Sequence, residues 1–441
     1  MKKWIGLIAI VIAGAVMISG PLITGSQTQK SYQVLLHKLA KTPGVSITEN
    51  SYKNGYLHAT ALTTFAFQDI SKPQKKQTIQ IKTNISNGIF SATTVSELVL
   101  KKSFLDKVKS VIGDKPPVIL KGRFSIFGGA ELDLSTLSLN YNDKKSQEQI
   151  QISPFYLSVD FSSDFNRFLV NGSWKGAKIE SKNGNKLVFN SLTYHQAGHR
   201  FADNVWLGRF EVVLDSISTK SKMQSELNAK LIKIVGETNK DDDAHFSSSA
   251  SFKVSRIDFQ NLLKKEDSFD ITNSVFDIAI NKIAIDEFEA LMALSDGYRK
   301  ADQITDPAEQ IRSQMEMMSK LLKASTALLN KGLVITIPKL AFSNAGGRAK
   351  ASLYLKQKPG TWDINQSYKG LLQNTAGTLK IDIPEKILRF LPEKGKAFRV
   401  QLDRMMRSKL ITLKNGHYQT KAKLNGLDFY LNGKKIPLPK L

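Results

Sequence analysis

The sequence predicts an α+β protein that is mainly antiparallel β: a long curved meandering sheet with a helix pair packed on it, preceded by one N-terminal transmembrane helix. Three observations predict this. Asn-Gly dipeptides recur along the chain, apolar and polar residues alternate over long stretches, and the N-terminus carries an uncharged apolar run.

The apolar run extends from Trp4 to Gly25, behind Lys2 and Lys3. Trp4, Ile5, Leu7, Ile8, Val11, Ile12, Val16, Met17, Leu22 and Ile23 give it its character. At ~1.5 Å per residue a helix of this length matches a hydrocarbon core of ~30 Å. Lys2 and Lys3 set its topology, because basic residues stay on the cytoplasmic side, so everything after Gly25 is expected beyond the membrane. The competing reading is a cleaved secretory signal, which has a shorter apolar region of about 7 to 15 residues and a small-x-small cleavage site. Thr24-Gly25-Ser26 is a poor version of that site, and the length of the run favours an uncleaved anchor. The expected organisation is a cytoplasmic tail at 1–3, an anchor at 4–25, a β-rich portion at 26–265 and an α+β portion at 266–441. Lys264-Lys265-Glu266-Asp267 marks the charged connection between the last two.

The strands are justified by their turns and their period. Asn-Gly occurs at 54–55, 87–88, 171–172, 183–184, 415–416, 425–426 and 432–433. Both residues tolerate positive φ, which two-residue hairpin turns require. Between the turns, Ile79, Ile81 and Ile85, then Leu132 and Leu134, then Leu137, Leu139 and Tyr141 alternate with polar residues, as half-buried strands do. Stretches 149–161, 186–194, 209–217 and 246–259 follow the same rule. Leu132 and Leu139 stand for the apolar face such a sheet would present to a ligand.

Helices are few. One is expected from Asp286 to about Lys300. A second starts at the N-cap Asp306 with Pro307 in its first turn and ends before Gly332. Within it Ile311, Met315, Met318, Leu322, Ser325 and Leu329 follow a four-three spacing that aligns them on one face. That stripe needs an apolar partner, with the sheet or the neighbouring helix as the expected one and a methionine-lined ligand surface as the alternative. Shorter helical stretches are expected at 27–41, at 96–112 and after Pro384. The last carries Phe398, Leu402, Met405 and Met406 on one side. Lys394, Lys396, Arg399, Arg404, Arg407 and Lys409 lie largely on another, a candidate contact with an anionic surface.

Composition bounds the chemistry. In 441 residues there are 63 Lys plus Arg against 39 Asp plus Glu, a formal net charge of +24, and no cysteine. Disulfide scaffolds, zinc fingers, cysteine nucleophiles and lipoprotein anchoring are excluded. The basic excess is greatest from Leu371 to Leu441, with 15 Lys or Arg against 5 Asp or Glu. Such a charge suits a polyanion. Beyond an inner membrane the polyanions are lipid headgroups and acidic envelope polymers, so no nucleic-acid partner is expected. The bland alternative is a solvated surface.

No catalytic signature is found: no nucleophile elbow, Walker loop or dinucleotide fingerprint. His195 and His199 are four apart but sit between strands with Gly198 between them, which favours turn residues over a metal site. Asp241, Asp242 and Asp243 with His245 lack the alternate spacing of a calcium loop and read as a solvated tip. No cofactor and no enzyme activity are expected.

Ser51-Tyr52-Lys53-Asn54-Gly55-Tyr56-Leu57-His58-Ala59-Thr60-Ala61 forms a small hairpin signature. It is followed by Gly172-Ser173-Trp174-Lys175-Gly176, by Leu207-Gly208-Arg209-Phe210 and by the closing Asn432-Gly433-Lys434-Lys435-Ile436-Pro437. In this the chain resembles the YdgA-like family of uncharacterised bacterial inner-membrane proteins. The resemblance implies an N-terminally anchored periplasmic protein of unknown molecular function. The functional readings are three: an envelope protein binding lipid or another amphiphile on a sheet groove, a structural or interaction protein that dimerises as a homo-oligomer or holds an envelope partner without ligand, and a hydrolase of envelope polymers.

Overall fold

The computed structural model describes residues 45–437 apart from 54–57, 70–71, 88–90, 100–112, 114, 126–128, 144–146, 165, 223–224, 302–305, 361, 363–367 and 391–394. The residues of the expected anchor, Lys2, Lys3, the expected helix at 27–41 and Lys394 all lie outside them. Among the described residues no helix is long and apolar enough to cross a membrane. Antiparallel strands dominate, and the chain divides into two units, one holding the described residues up to 182 with 188–199, the other 183–187 with 200–437.

In the first unit β1 (Val45–Lys53), β2 (His58–Asp69), β3 (Lys72–Asn87), β4 (Ser91–Val99), β5 (Val118–Ser125) and β6 (Ala130–Thr136) pair in chain order. β7 (Leu139–Asp143) and β8 (Glu148–Ile152) then pair with each other as a hairpin. β9 (Phe155–Phe161) returns to β6 and is followed by β10 (Arg167–Trp174). β11 (Ala177–Glu180) extends the hairpin at β8, β12 (Lys186–Phe189) follows, and β13 (Leu192–Arg200) pairs with β10. Alternation sends every second residue inward. Phe65, Ile81, Ile85, Leu120, Leu132 and Val159 form a buried core, in which Leu132 is only 1% exposed. Thr83 and Ser96, also buried, satisfy each other across β3 and β4 with their hydroxyls 2.8 Å apart, as buried polar groups must.

Several expected elements are corrected here. Ser96 to Val99 belongs to β4 and is not helical, because Ser96 and Leu98 continue an inward alternation begun at Ala92. The stretch 149–161 is two strands. Pro154 has no N–H for a ladder, and the Ser153 carbonyl instead accepts from Trp174 Nε1 at 3.0 Å. The stretch 186–194 is likewise split into β12 and β13. Asn171-Gly172 is mid-strand rather than a turn, and Gly172 is needed for close approach, since a Cβ would meet Leu157 Cδ1 at 3.1 Å and Tyr194 Cβ at 3.2 Å. Asn415-Gly416 and Asn432-Gly433 do make hairpin turns, all four residues having positive φ.

The second unit is built on four long strands, β14 (Trp206–Lys220), β15 (Ser225–Lys240), β16 (His245–Asn261) and β17 (Phe269–Ala284), paired in order. The charged run Lys264–Asp267 is the turn between β16 and β17, inside this unit. The helices α1 (Ile285–Ala301) and α2 (Pro307–Asn330) follow, and then the meander resumes with β18 (Val334–Asn344) and β19 (Gly347–Gln357). After α3 (Tyr368–Gln373) comes β20 (Thr375–Pro384). A 3₁₀ turn at Glu385–Phe390 leads to α4 (Gly395–Arg407), β21 (Thr412–Lys414) and β22 (His417–Asn425). β22 pairs with β20, and β23 (Asp428–Leu431) and β24 (Lys434–Ile436) complete the meander.

The helix boundaries follow their caps. Asp306 accepts from the Ala308 and Glu309 N–H groups at 2.8 and 3.0 Å, and Gly332 closes the helix end at φ +95°. The pair is rooted by Phe288, Leu328 and Leu329 against Val205, Phe246, Ile283 and Leu333, with the Phe246 and Phe288 rings edge to face at 5.2 Å. At the other end of the chain Leu402 of α4 is buried with Leu388, Ile411 and Tyr418.

Two substitutions test this packing. Leu132→Ala should lower stability by about 2–5 kcal/mol in urea unfolding, the range for a large aliphatic group removed from a closed core. Gly346→Ala should cost about 1–3 kcal/mol in the same assay, because its Cβ would lie 2.4–2.5 Å from the backbone of Lys386 and Ile387.

Candidate functional site

Residues directly opposite in an antiparallel ladder share a face, so register converts the sequence of the second unit into rows. One row runs Val212, Ile234, Phe252, Phe276, Leu340, Ala351, Ile381 from β14 to β20. Beside it Leu214, Ile232 and Val254 line up on one side, and Phe210, Gly236, Ala250 and Ile278 on the other. Ile280, Ile335 and Leu355 continue the apolar surface toward the helix root, as do Ile337, Leu353 and Leu379. Gly236 has a local reason: the Phe210 ring lies over it, and a Cβ there would meet the ring at 2.1 Å.

The intervening residues make the opposite face polar. Glu211, opposite Val235, accepts from Lys233 Nζ at 2.7 Å and from Arg209 at 3.1 Å. These bonds hold its carboxyl below the usual carboxylate range, the Lys233 bond contributing most. Ser251 donates to Asp277 at 2.6 Å on the same face.

The apolar face is not closed over as the core of the first unit is. Phe252 is 41% exposed, Phe276 37% and Leu340 46%, at the centre of the main row. A contiguous apolar surface left open to water costs free energy in proportion to its area. The face expected to be open at Leu132 is therefore elsewhere: Leu132 is shut in the first core, and the open surface lies on β14 to β20. The alternation within 209–217 and 246–259 was the legible signal for it.

The helix stripe also departs from expectation. Leu329 packs at the root, but Ile311, Met315, Met318 and Leu322 are exposed, Met315 at 70%. The expected packing against sheet or helix fails for these four, while Met317 and Leu321 on the adjacent face of α2 are half-buried. The basic helix is α4. Its apolar side is taken by Leu402 and Met406 in the core, leaving Arg404, Arg407 and Lys409 exposed at its C-terminal end. Lys396 and Arg399 fall in its first turns.

The histidine pair lies on β13 and not in a turn. Four residues along a strand are about 13 Å apart, too far to share one ion, and His195 Nδ1 lies 2.8 Å from Asn171 Oδ1. The aspartate cluster is the β15–β16 turn. Asp241 accepts from Ser247 Oγ at 2.5 Å and Lys282 N at 3.1 Å, Asp242 accepts from Ala244 N at 2.8 Å, and Lys240 pairs with Asp243. Among the described residues no group of His, Asp and Glu is arranged to hold a metal.

The fold and this face define a β-rich protein whose second unit carries one open apolar sheet face and one polar one. The chain belongs to the DUF945 family of bacterial proteins of unknown function, whose sequence pattern matches residues 1–439. No curated protein and no solved structure matches it.

Two outcomes are expected from this geometry. Phe252→Ala, at a half-exposed position, should cost less than about 1 kcal/mol in urea unfolding, well under a core truncation. The second concerns Asp382, whose carboxyl is pushed up by partial burial but is lowered overall by His417 Nδ1 at 2.6 Å and by Lys350. A depressed folded pKa stabilises above the unfolded carboxylate range and is lost as pH falls through the folded value. Thermal melts below about pH 4 should therefore show a smaller acid-induced loss of stability in Asp382→Asn than in the native chain.

Proposed function

We propose that this protein is a non-enzymatic component of the bacterial envelope, held at the inner membrane by residues 4–25, that binds a lipid or another amphiphile on the apolar face of β14 to β20. The observation that carries the reading is the row Val212, Ile234, Phe252, Phe276, Leu340, apolar in every strand and half-exposed at its centre. An acyl chain laid on such a row needs no hydrogen bonds, and each methylene removed from water contributes ~0.8 kcal/mol. The main row itself carries no polar side chain, and the polar pairs on this face, Thr238 with Ser248 and Arg256 with Asp270, lie toward its ends.

A second reading is favoured by the exposed residues Ile311, Met315, Met318 and Leu322. Their four-three spacing is that of a coiled-coil seam, which suits a helical segment of a protein partner or a second copy of the chain.

Native mass spectrometry with organic extraction on residues 27–441, produced in the periplasm, tests the first reading. Lipid at fixed stoichiometry, lost in the Phe252→Asp/Phe276→Asp variant, is the expected result. A lipid-free protein would sink the reading, and a lipid-free stable dimer would favour the second.

A further inference from the structure

The polar face of the second unit changes character toward its C-terminal strands. Lys350, Asp382 and Gln419 lie in one row across β19, β20 and β22, and Ser352, Lys380 and Lys421 in the next. Lys380 and Lys421 are thus directly opposite, with Lys423 following on the same face of β22. Arg348 is on the same face of β19 as Lys350, and Lys339 of β18 is opposite Asp277. Like charges directly opposite in a ladder are destabilising, so this arrangement works against the stability of the free protein.

Carboxylates do not neutralise it. Asp382 is already taken by His417 at 2.6 Å and Lys350 at 3.5 Å, and Asp277 accepts from Ser251. Among the described residues Arg348, Lys380, Lys421 and Lys423 have no acidic partner. All four are exposed, with their charged ends in water. A shallow depression of about 430 Å³ lies in this patch, lined by Pro338, Lys339, Arg348, Lys350, Lys380 and Asp382.

We infer that this depression, with Lys421 at its side, binds a phosphate-bearing anion. An arginine and several lysines on one face without enough counter-charge are the chemistry that holds phosphate oxygens, and the anion would relieve the repulsion between Lys380 and Lys421. The site's charged side chains are on the opposite side of the sheet from Phe252 and Phe276, although Ala351 and Ile381 of the apolar row also line the depression. Its ligand is either the headgroup of an anionic amphiphile or a free phosphate compound.

The full chain in neutral detergent is titrated at low ionic strength with inorganic pyrophosphate and, separately, with short-chain phosphatidylglycerol, using phosphatidylcholine of the same chain length as the zwitterionic reference. Binding of pyrophosphate assigns the site to phosphate as such. Binding of phosphatidylglycerol alone, above the phosphatidylcholine reference, assigns it to a headgroup. In either case Lys380→Ala/Lys421→Ala should weaken binding about tenfold, the loss expected from removing hydrogen bonds to a charged ligand. Without ligand, the same variant should melt no lower than the native chain. The Lys264→Ala/Lys265→Ala variant, which removes the same charge from the β16–β17 turn, should bind as the native chain does. No binding of either probe, an equal loss in the turn variant, or a ligand-free double variant that melts lower would overturn the assignment.

Discussion

The second unit depends on one constraint: in an antiparallel ladder the residue directly across is on the same face, so a period-two pattern in one strand is imposed on its neighbours by register. Once Val212 is opposite Ile234 and Ile234 is opposite Phe252, the alternation of three strands becomes a surface. The same constraint places Glu211, Lys233 and Asp277 together on the reverse. A register slip of one residue in β15 would carry Lys233 to the face of Phe252 and break its bond to Glu211, while turning Ile232 and Ile234 onto the polar face.

Similar alternation has two outcomes in one chain. In the first unit the inward residues of β2 to β9 close into a core whose largest members are almost fully buried, and the Thr83 and Ser96 hydroxyls pair within it. In the second unit the equivalent face stays half-exposed at Phe252, Phe276 and Leu340. The helix pair covers only its root, through Phe288, Leu328 and Leu329. The first arrangement supplies stability. The second leaves part of the apolar surface in contact with water, the observation on which the amphiphile proposal rests.

Charge is distributed by the same register. Along β14 and β15 opposite signs meet, as in Glu211 with Lys233 and Arg209, although Lys233 also faces Lys253 of β16. From β19 to β22 lysines meet lysines and the balance fails. The basic excess of the C-terminal sequence is therefore not only a property of α4, where Arg404 and Arg407 stand on a helix anchored by Leu402. Much of it is displayed on the sheet.

The sequence by itself determined the antiparallel β class, both long helices and the caps of the second, and the hairpins at Asn415-Gly416 and Asn432-Gly433, because each is set by local rules: a period of two, a side chain that bonds the first turn, a residue that accepts positive φ. Local rules also misled. Gly172 follows an asparagine but serves close packing between strands, and Ser96 continues a strand through its alternation with Ala92. The open face was half legible, since the alternating residues were visible and their exposure was not. Whether Leu132 or Phe252 meets water, and whether Met315 finds a partner, depends on which distant segment is packed above each. Only the tertiary structure decided that, because burial is a property of neighbours far apart in sequence.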